Sequence, residues 1–238
     1  SILKEVDQFK NKIMKKITAV VPIRKGSQRV IDKNLRPFAG SNLLAIKIEN
    51  LKKVKGIDEI VVNTDSEQAI EIAQEMGVSF HRREDYYASS KCTGSEFFEH
   101  LGQVTDTEIF AYCPVTSPFI KVETMEAAIS MFKENNEFDC LSTVSVIKEF
   151  MWLDGKAINY NPLNAPNSQN LPDIEALNFG FTLINKNDLI RYRNIIGKTP
   201  QFIRTTDIEA IDIDTPLDFF VAEQIYIKTI IEAKNLLA

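Results

Sequence analysis

The residues best suited to chemistry in this chain are cations that follow an apolar segment near its start. Residues 17–21 read Ile-Thr-Ala-Val-Val, a β-branched run typical of a buried strand, and the run ends at Pro22. Four basic side chains then stand within ten residues, in the order Arg24, Lys25, Arg29 and Lys33. Ligands bind at the carboxyl ends of strands in open α/β sheets, and cations crowded there favour an anion. The loop is therefore predicted to hold a polyphosphate.

This loop matches neither of two familiar phosphate-binding motifs. It contains a single glycine, Gly26, and no Gly-Lys-Ser/Thr triplet opens the next helix, as a P-loop requires. Two of the three glycines of the dinucleotide fingerprint are also missing. Phosphate contacts are therefore expected from Arg24, Ser27 and Lys33 together with backbone N–H groups. The neighbouring polar side chains are interpreted as solvated: Lys25, Gln28 and Arg36.

An acidic pair, Asp212 and Asp214, stands much later, in the sequence Ile-Asp-Ile-Asp-Thr-Pro. In a strand both carboxylates would share one face, while Ile211 and Ile213 would point into the core. Adjacent carboxylates repel unless a cation neutralises them, and Mg²⁺ often joins carboxylates to substrate phosphates. The pair predicts a Mg²⁺ site. One alternative stays open: Asp214 caps the helix that begins at Pro216, and Asp212 is a solvated strand end.

Weaker candidates follow other predicted strands. Arg83 comes after the third strand, and Ser89 lies in the polar loop beyond it. Thr116 and Ser117 follow the fourth strand, where their hydroxyls would touch phosphate or sugar, or cap the next helix. Asp65 is interpreted as a helix cap. No role is assigned to either histidine, His81 or His100.

Composition narrows the class of protein. The chain has 238 residues, 44% hydrophobic and 26% charged, which is ordinary for a globular protein. A net charge of −5 argues against non-specific nucleic-acid binding, and no apolar run approaches the ~18 residues of a membrane span. The three cysteines lack paired spacing and the first residues are too charged for a signal peptide. A cytoplasmic protein in a reducing compartment is therefore expected.

Strand and helix patterns alternate along the chain. Strands are predicted at residues 17–21, 58–63, 78–81, 109–113, 139–147, 179–184, 202–204 and 210–214. Helices are predicted at residues 43–54, 66–76, 96–104, 122–132, 187–192 and 216–235. This alternation predicts an α/β fold with a mostly parallel, helix-covered sheet. Residues 1–14 are interpreted as an N-terminal extension, residues 15–238 as one domain, and residues 148–177 as an excursion from its sheet.

These motifs together resemble the CMP-sialic acid synthetase (acylneuraminate cytidylyltransferase) family. That family opens with a strand and a Pro-Ala-Arg-x-Gly-Ser…Lys-Asn loop. Here residues 22–27 read Pro-Ile-Arg-Lys-Gly-Ser and are followed by Lys33-Asn34. Later segments stand in the family's order: residues 62–65, Arg83 with Ala88-Ser89, residues 116–118 and residues 211–215. The resemblance covers about residues 15–232.

The resemblance implies a Rossmann-like nucleotidyltransferase fold of the GT-A-like type. It implies a homodimer, in which the 148–177 excursion packs on the partner and reaches toward its acceptor pocket. The implied reaction joins CTP to an acidic nine-carbon sugar, such as a sialic acid, and gives a CMP-sugar and pyrophosphate with Mg²⁺.

The resemblance also implies roles for particular residues. CTP would be bound by residues of the first loop, namely Arg24, Ser27, Lys33 and Asn34. Further nucleotide-binding residues would be Arg83, Ser89, Thr116 and Ser117. Asp212 and Asp214 would hold Mg²⁺. The residues implied in catalysis are Arg24, Lys33 and Asp214, of which the two cations counter phosphate charge and Asp214 helps to deprotonate the attacking hydroxyl.

The acceptor half departs from the family pattern. Gln-Pro-Thr-Ser-Pro-Leu-Arg is replaced by Pro-Val-Thr-Ser-Pro-Phe-Ile at residues 114–120, and Arg-Pro-Asn-Gly by Leu-Asn-Phe-Gly at residues 177–180. Cytidylyl transfer is therefore predicted. The acceptor is left open: a sialic, legionaminic or pseudaminic acid, an eight-carbon relative, or a compound outside the sugars. Two alternatives remain: a metal-dependent GT-A glycosyltransferase, which also uses Asp-x-Asp, and a catalytically silent paralogue.

Overall fold

A seven-stranded sheet forms the centre of the molecule. The computed structural model describes residues 15–26, 33–135 and 137–231. The sheet strands are β1 (Ile17–Ile23), β2 (Glu59–Thr64), β3 (Ser79–Arg82), β4 (Ile109–Tyr112), β5 (Cys140–Ile147), β8 (Ile174–Asn185) and β9 (Pro200–Arg204). Their order is β3-β2-β1-β4-β8-β5-β9. A separate hairpin joins β6 (Trp152–Leu153) to β7 (Lys156–Ala157).

Most neighbouring strands run parallel, as predicted. The pairs β1–β2, β2–β3, β1–β4 and β5–β9 are parallel, whereas β8 runs antiparallel to both β4 and β5. The chain turns away from β1 toward β2 and β3, and then returns to place β4 on the other side of β1. Such a switch point opens a crevice at the carboxyl ends of the strands, where α/β proteins bind ligands.

Helices cover both faces of the sheet. They are α1 (Leu43–Leu51), α2 (Glu67–Glu75), α3 (Asp85–Ala88), α4 (Gly94–Val104), α5 (Val122–Glu134), α6 (Lys186–Tyr192) and α7 (Pro216–Tyr226). The larger core joins one face of the sheet to α1, α2, α5 and α7, and the smaller core joins the other face to α4 and α6. In the described part of the chain, no helix has the length and apolar character needed to cross a membrane.

Two predicted elements differ from the structure, and a segment predicted as a loop contains a short helix. Residues 211–214 form no strand, because the Ile213 N–H donates to the carbonyl oxygen of Thr116 (2.9 Å) and Lys33 Nζ donates to the Ile213 carbonyl (2.6 Å). The helix predicted to reach residue 235 ends at Tyr226 and continues as a π-helical turn to Ile231; residues 232–235 lie outside the described residues. The polar loop before α4 contains the short helix α3.

The predicted excursion has little regular structure. Residues 148–173 contain the β6–β7 hairpin and two 3₁₀ turns, Pro162–Asn164 and Ser168–Asn170, and residues 174–177 already belong to β8. Several apolar side chains here face solvent, and Leu163 is 97% exposed. The N-terminal extension predicted at residues 1–14 lies outside the described residues.

The Asn178 side chain makes hydrogen bonds at the point where the regular pairing of β8 with β5 is interrupted. Its side-chain oxygen accepts hydrogen bonds from Thr143 Oγ1 (2.6 Å) and from the Gly180 N–H (3.2 Å). Its amide nitrogen donates to Thr205 Oγ1 (3.0 Å) and to Ser145 Oγ (3.4 Å). The register of the two strands shifts between Ser142 and Val144, so a side chain replaces the missing ladder bonds.

We predict that Asn178→Ala lowers the free energy of unfolding by about 2 kcal/mol, because the buried Thr143 hydroxyl loses its acceptor. Urea denaturation checks this value. Asn167→Ala is the matched control, since Asn167 is exposed and its side chain makes no cap hydrogen bond. Equal midpoints for the two variants would contradict the role given to Asn178.

Candidate active site

A cavity of about 300 Å³ opens where β1, β3 and β4 end. The described residues that line it come from five parts of the chain: Pro22, Arg24, Lys33, Asn34, Arg83, Phe97, Tyr112, Pro114, Val115 and Thr116. Five of the residues predicted to bind nucleotide or phosphate therefore share one cavity: Arg24, Lys33, Asn34, Arg83 and Thr116. The cavity combines apolar walls with two guanidinium groups and an ammonium group.

Lys33 joins the early basic loop to the late acidic segment. Its side chain is only 10% exposed, and its Nζ donates to the Ile213 carbonyl oxygen at 2.6 Å. The same nitrogen lies 3.6 Å from Asp214 Oδ1. Two segments 180 residues apart thus meet at one ammonium group. The loop predicted to hold a polyphosphate and the pair predicted to hold Mg²⁺ therefore lie side by side.

Asp212 and Asp214 both lie at this junction, while Ile213 between them is fully buried. Desolvation raises the pKa of the Asp212 carboxyl, a hydrogen bond from Thr116 opposes that shift, and the charge of Asp214 adds to it. Asp214 does not cap α7. The cap is Thr215, whose hydroxyl accepts the Asp218 N–H in a capping box.

The acidic pair suits a hard divalent cation. Carboxylate oxygens are the ligands that Mg²⁺ prefers, and it commonly takes one or two of them together with phosphate oxygens. Among the described residues no group of three His, Cys, Asp or Glu side chains could form a metal site by itself. A cation held by Asp212 and Asp214 would therefore take further oxygens from substrate or water, and it would favour the charged form of the Asp212 carboxyl, whose pKa burial raises.

Arg83 is a buried cation fixed in a wall of the cavity. Its Nε donates to Asn63 Oδ1 (2.6 Å), its terminal nitrogen donates to the Asn63 carbonyl oxygen (2.8 Å), and its guanidinium lies 4.7 Å from the Phe97 ring centroid. Burial lowers the pKa of Arg83 to about 10, so it stays charged at neutral pH. Two of its five N–H donors suffice for Asn63, which leaves donors for a ligand.

Two other residues predicted to bind the nucleotide, Ser117 and Ser89, do not line the cavity. Ser117 is 2% exposed and does not line it, and Ser89 Oγ closes a turn by donating to the Tyr86 carbonyl oxygen at 2.7 Å. Nucleotide binding by these two serines stays a prediction. Ser27 lies outside the described residues. Asp65 is not the cap of α2, because Ser66 has that role and Asp65 Oδ1 accepts the Lys25 N–H (2.7 Å).

Sequence reasoning gave no role to three residues that shape the site: Asn63, Phe97 and Tyr112. Phe97 was indistinguishable from a core residue of an amphipathic helix, although the structure places it under Arg83. Tyr112 ends β4 and lines the cavity, and burial raises its pKa to about 12. A signal was available for Tyr112, since a polar aromatic residue ends an otherwise apolar strand at the ligand-binding edge.

The arrangement defines a nucleotidyltransferase-type α/β protein, and solved structures agree on the fold. The structure of a CMP:2-keto-3-deoxy-manno-octonic acid synthetase complexed with CTP superposes with a TM-score of 0.66 at 15% identity, covering 90% of this chain and 99% of that one. The 4-diphosphocytidyl-2C-methyl-D-erythritol synthase of Anaerococcus prevotii gives a TM-score of 0.65 at 15% identity, with 93% and 99% coverage. The predicted Rossmann-like nucleotidyltransferase fold is confirmed.

Sequence comparison gives the family. A family model described as cytidylyltransferase matches residues 18–171, and the chain belongs to the cytidylyltransferase family. An N-acylneuraminate cytidylyltransferase of Escherichia coli is 33% identical over 131 residues, which are 55% of this chain and 31% of that protein. A CMP-N,N'-diacetyllegionaminic acid synthase of Legionella pneumophila is 27% identical over 223 residues, covering 88% of this chain and 96% of that protein. The predicted family and enzyme type are thereby confirmed.

Two histidines pack behind Arg83 and its anchor. His81 Nδ1 lies 3.1 Å from Asn63 Nδ2, and the His81 and His100 ring centroids are 5.9 Å apart. His100 stacks on Tyr87 at 3.5 Å, and in the described part of the chain its Nε2 has no hydrogen-bond partner. Burial lowers the pKa of both histidines. Arg83 lowers both pKa values further, and His81 lowers that of His100, while Glu84 opposes.

We predict that the free energy of unfolding falls as pH falls through the ordinary histidine pKa of 6.5. Just below that pH His81 and His100 bind protons in the unfolded chain but remain neutral in the folded protein, because their pKa values are lowered there. Protonation therefore stabilises the unfolded state relative to the folded state. Denaturation series between pH 7 and 5.5 check this. The doubly substituted His81→Asn/His100→Phe protein should lose most of the pH dependence. An unchanged slope in that variant would contradict the assignment.

Proposed function

We propose that this protein transfers CMP from CTP to an acidic sugar acceptor and releases pyrophosphate. The observation that carries the proposal is the Lys33 contact, which sets a buried cation and two carboxylates at the edge of one cavity. The names of the E. coli and Legionella relatives support cytidylyl transfer to nine-carbon acids. The acceptor proposed for this chain is therefore a nonulosonic acid of the sialic or legionaminic type.

The cavity suits a nucleoside triphosphate because cations and apolar side chains line it together. Arg83, which lies over Phe97, is proposed to offer donors to the nucleoside, while Arg24 and Lys33 are proposed to offer positive charge to the phosphates. Asn34 lines the same cavity and provides amide donors. Phosphoryl transfer depends mainly on positioning and on charge stabilisation, and this set of side chains supplies both.

Asp212 and Asp214 would hold Mg²⁺ in the working enzyme. Such an ion would neutralise phosphate charge and act as a Lewis acid on the phosphates of the substrate. Lys33 keeps the Asp214 carboxylate in place, and Asp214 is proposed to take the proton of the attacking acceptor hydroxyl. The acceptor oxygen then forms a bond to the α-phosphorus as the bond from that phosphorus to the bridging oxygen of pyrophosphate breaks. Pyrophosphate leaves with the electron pair.

The direct test measures pyrophosphate release from CTP with Mg²⁺ and a panel of sialic, legionaminic, pseudaminic and eight-carbon keto acids. We expect release that depends on one member of the panel. Consumption of a sugar nucleotide without pyrophosphate release would favour the glycosyltransferase alternative. Tight CTP binding with no turnover on any acid would favour a silent paralogue.

We predict that Lys33→Met and Asp214→Asn each lower kcat at least ~10²-fold. The first removes positive charge proposed to stabilise the reacting phosphate, and the second removes a proposed Mg²⁺ ligand and proton acceptor. Lys53→Met is the control, since Lys53 follows the end of α1, is exposed and does not line the cavity. Steady-state kinetics with saturating CTP check the effect. Wild-type kcat in Asp214→Asn would contradict both its proposed roles.

We further propose that the protein is a homodimer built through the excursion, and that it resides in the cytoplasm. Apolar side chains of the excursion face solvent, with Trp152 54%, Leu153 62% and Leu163 97% exposed, and such a patch fits a protein interface. All three cysteines are free, which suits a reducing compartment.

We predict that the double variant Leu153→Glu/Leu163→Glu shifts the protein from dimer to monomer, because charge in a desolvated interface is costly. Sedimentation velocity at micromolar concentration checks this. Leu217→Glu, at a 68% exposed leucine of α7, is the matched control and should remain dimeric. A monomeric wild-type protein would overturn the proposed assembly.

A further inference from the structure

A second lysine, Lys47, lies buried below the site and outside the cavity lining. It belongs to α1 and is 1% exposed, and its Nζ donates to the carbonyl oxygen of Ser117 at 2.7 Å. Burial lowers the pKa of this ammonium to about 8, and the nearby Cys113 thiol opposes the shift. A buried cation is costly, and an apolar side chain of similar volume would fill the same space more cheaply. Packing alone therefore does not explain why a lysine occupies this buried position.

The carbonyl that Lys47 contacts belongs to the loop that supports the acidic pair. The preceding residue, Thr116, accepts the Ile213 N–H at 2.9 Å, and its side chain hydrogen-bonds to Asp212. Lys33 Nζ in turn donates to the Ile213 carbonyl. Two neighbouring backbone segments are thus bonded to each other, and each is held by one lysine ammonium group.

We infer that Lys47 is a positioning residue, which fixes the Thr116–Ser117 loop and through it the carboxylate of Asp212. The effect on catalysis rests on the proposed function, whereas the link between Lys47 and the Asp212 segment rests on the hydrogen bonds alone. Lys47 does not line the cavity. Its effect on the reaction is transmitted by two hydrogen bonds: from Lys47 to the Ser117 carbonyl, and from Ile213 to Thr116.

This role predicts a specific division between binding and turnover. Arg83 is anchored by Asn63 and Phe97, and none of these contacts involves the Thr116–Ser117 loop. Loss of Lys47 should therefore leave the Arg83 wall of the cavity in place, so the affinity for CTP should change less than turnover, although Thr116 lines the same cavity. The carboxylates, by contrast, would lose their alignment, and a displacement of about 1 Å at a reacting centre lowers the rate up to ~10²-fold.

The test compares Lys47→Met with Lys186→Met. Lys186 Nζ also donates to a backbone carbonyl, that of Thr105 at 2.8 Å, but at the opposite end of the strands. In Lys47→Met we expect kcat per folded molecule to fall at least about tenfold, with the KM for CTP within about threefold of wild type. In Lys186→Met both constants should match wild type. The folded fraction is measured by circular dichroism at the assay temperature.

Hydrogen exchange of the Ile213 amide provides a readout independent of activity. Its protection should fall in Lys47→Met relative to amides of β1, and should not fall in Lys186→Met. Unchanged Ile213 protection, or a kcat within twofold of wild type, would overturn the inference. If wild type released no pyrophosphate from CTP while Ile213 protection still fell in Lys47→Met, the coupling would stand and the proposed function would fail.

Discussion

The hydrogen bond from Lys33 to the Ile213 carbonyl is the contact on which the site depends. It is 2.6 Å long, joins segments 180 residues apart, and brings the same ammonium within 3.6 Å of Asp214. A buried ammonium is stable only where acceptors surround it, so this lysine fixes the relative positions of loop and acidic segment. The charges proposed to act on one nucleotide tail are thereby set before any substrate arrives.

The sheet explains why such a junction forms at this place. The switch from β1 to β4 opens a crevice at the strand ends, and side chains from β1, β3 and β4 line one cavity there. Arg83 on one side is held by Asn63 and Phe97, and the loop after β4 is held from below by Lys47. An acidic protein thus gathers several cations in one crevice, where Lys33 and Arg83 are each fixed by hydrogen bonds.

The fold and many residues that line the candidate cavity could be predicted from sequence. Short apolar runs mark β1 and β4, and capping residues such as Thr93 mark helix starts in the structure, whereas Asn34 was implied by the family resemblance alone. The strand predicted over residues 211–214 is absent for a non-local reason. The alternating pattern arises because Ile213 is buried, but its backbone groups hydrogen-bond to the Thr116 carbonyl and to Lys33 and not to a neighbouring strand. Lys47 was also missed, since its one polar contact is with a residue 70 positions away.

The central claim is that the basic loop and the acidic pair act on one divalent ion and one triphosphate. It is tested most directly by electron–nuclear double resonance of Mn²⁺ bound to the protein with CTP, after labelling the aspartate carboxyl carbons with ¹³C. We expect a single bound ion to show both ³¹P coupling from CTP and ¹³C coupling that disappears in Asp212→Asn/Asp214→Asn. Phosphorus coupling without any carboxyl-carbon coupling would contradict it.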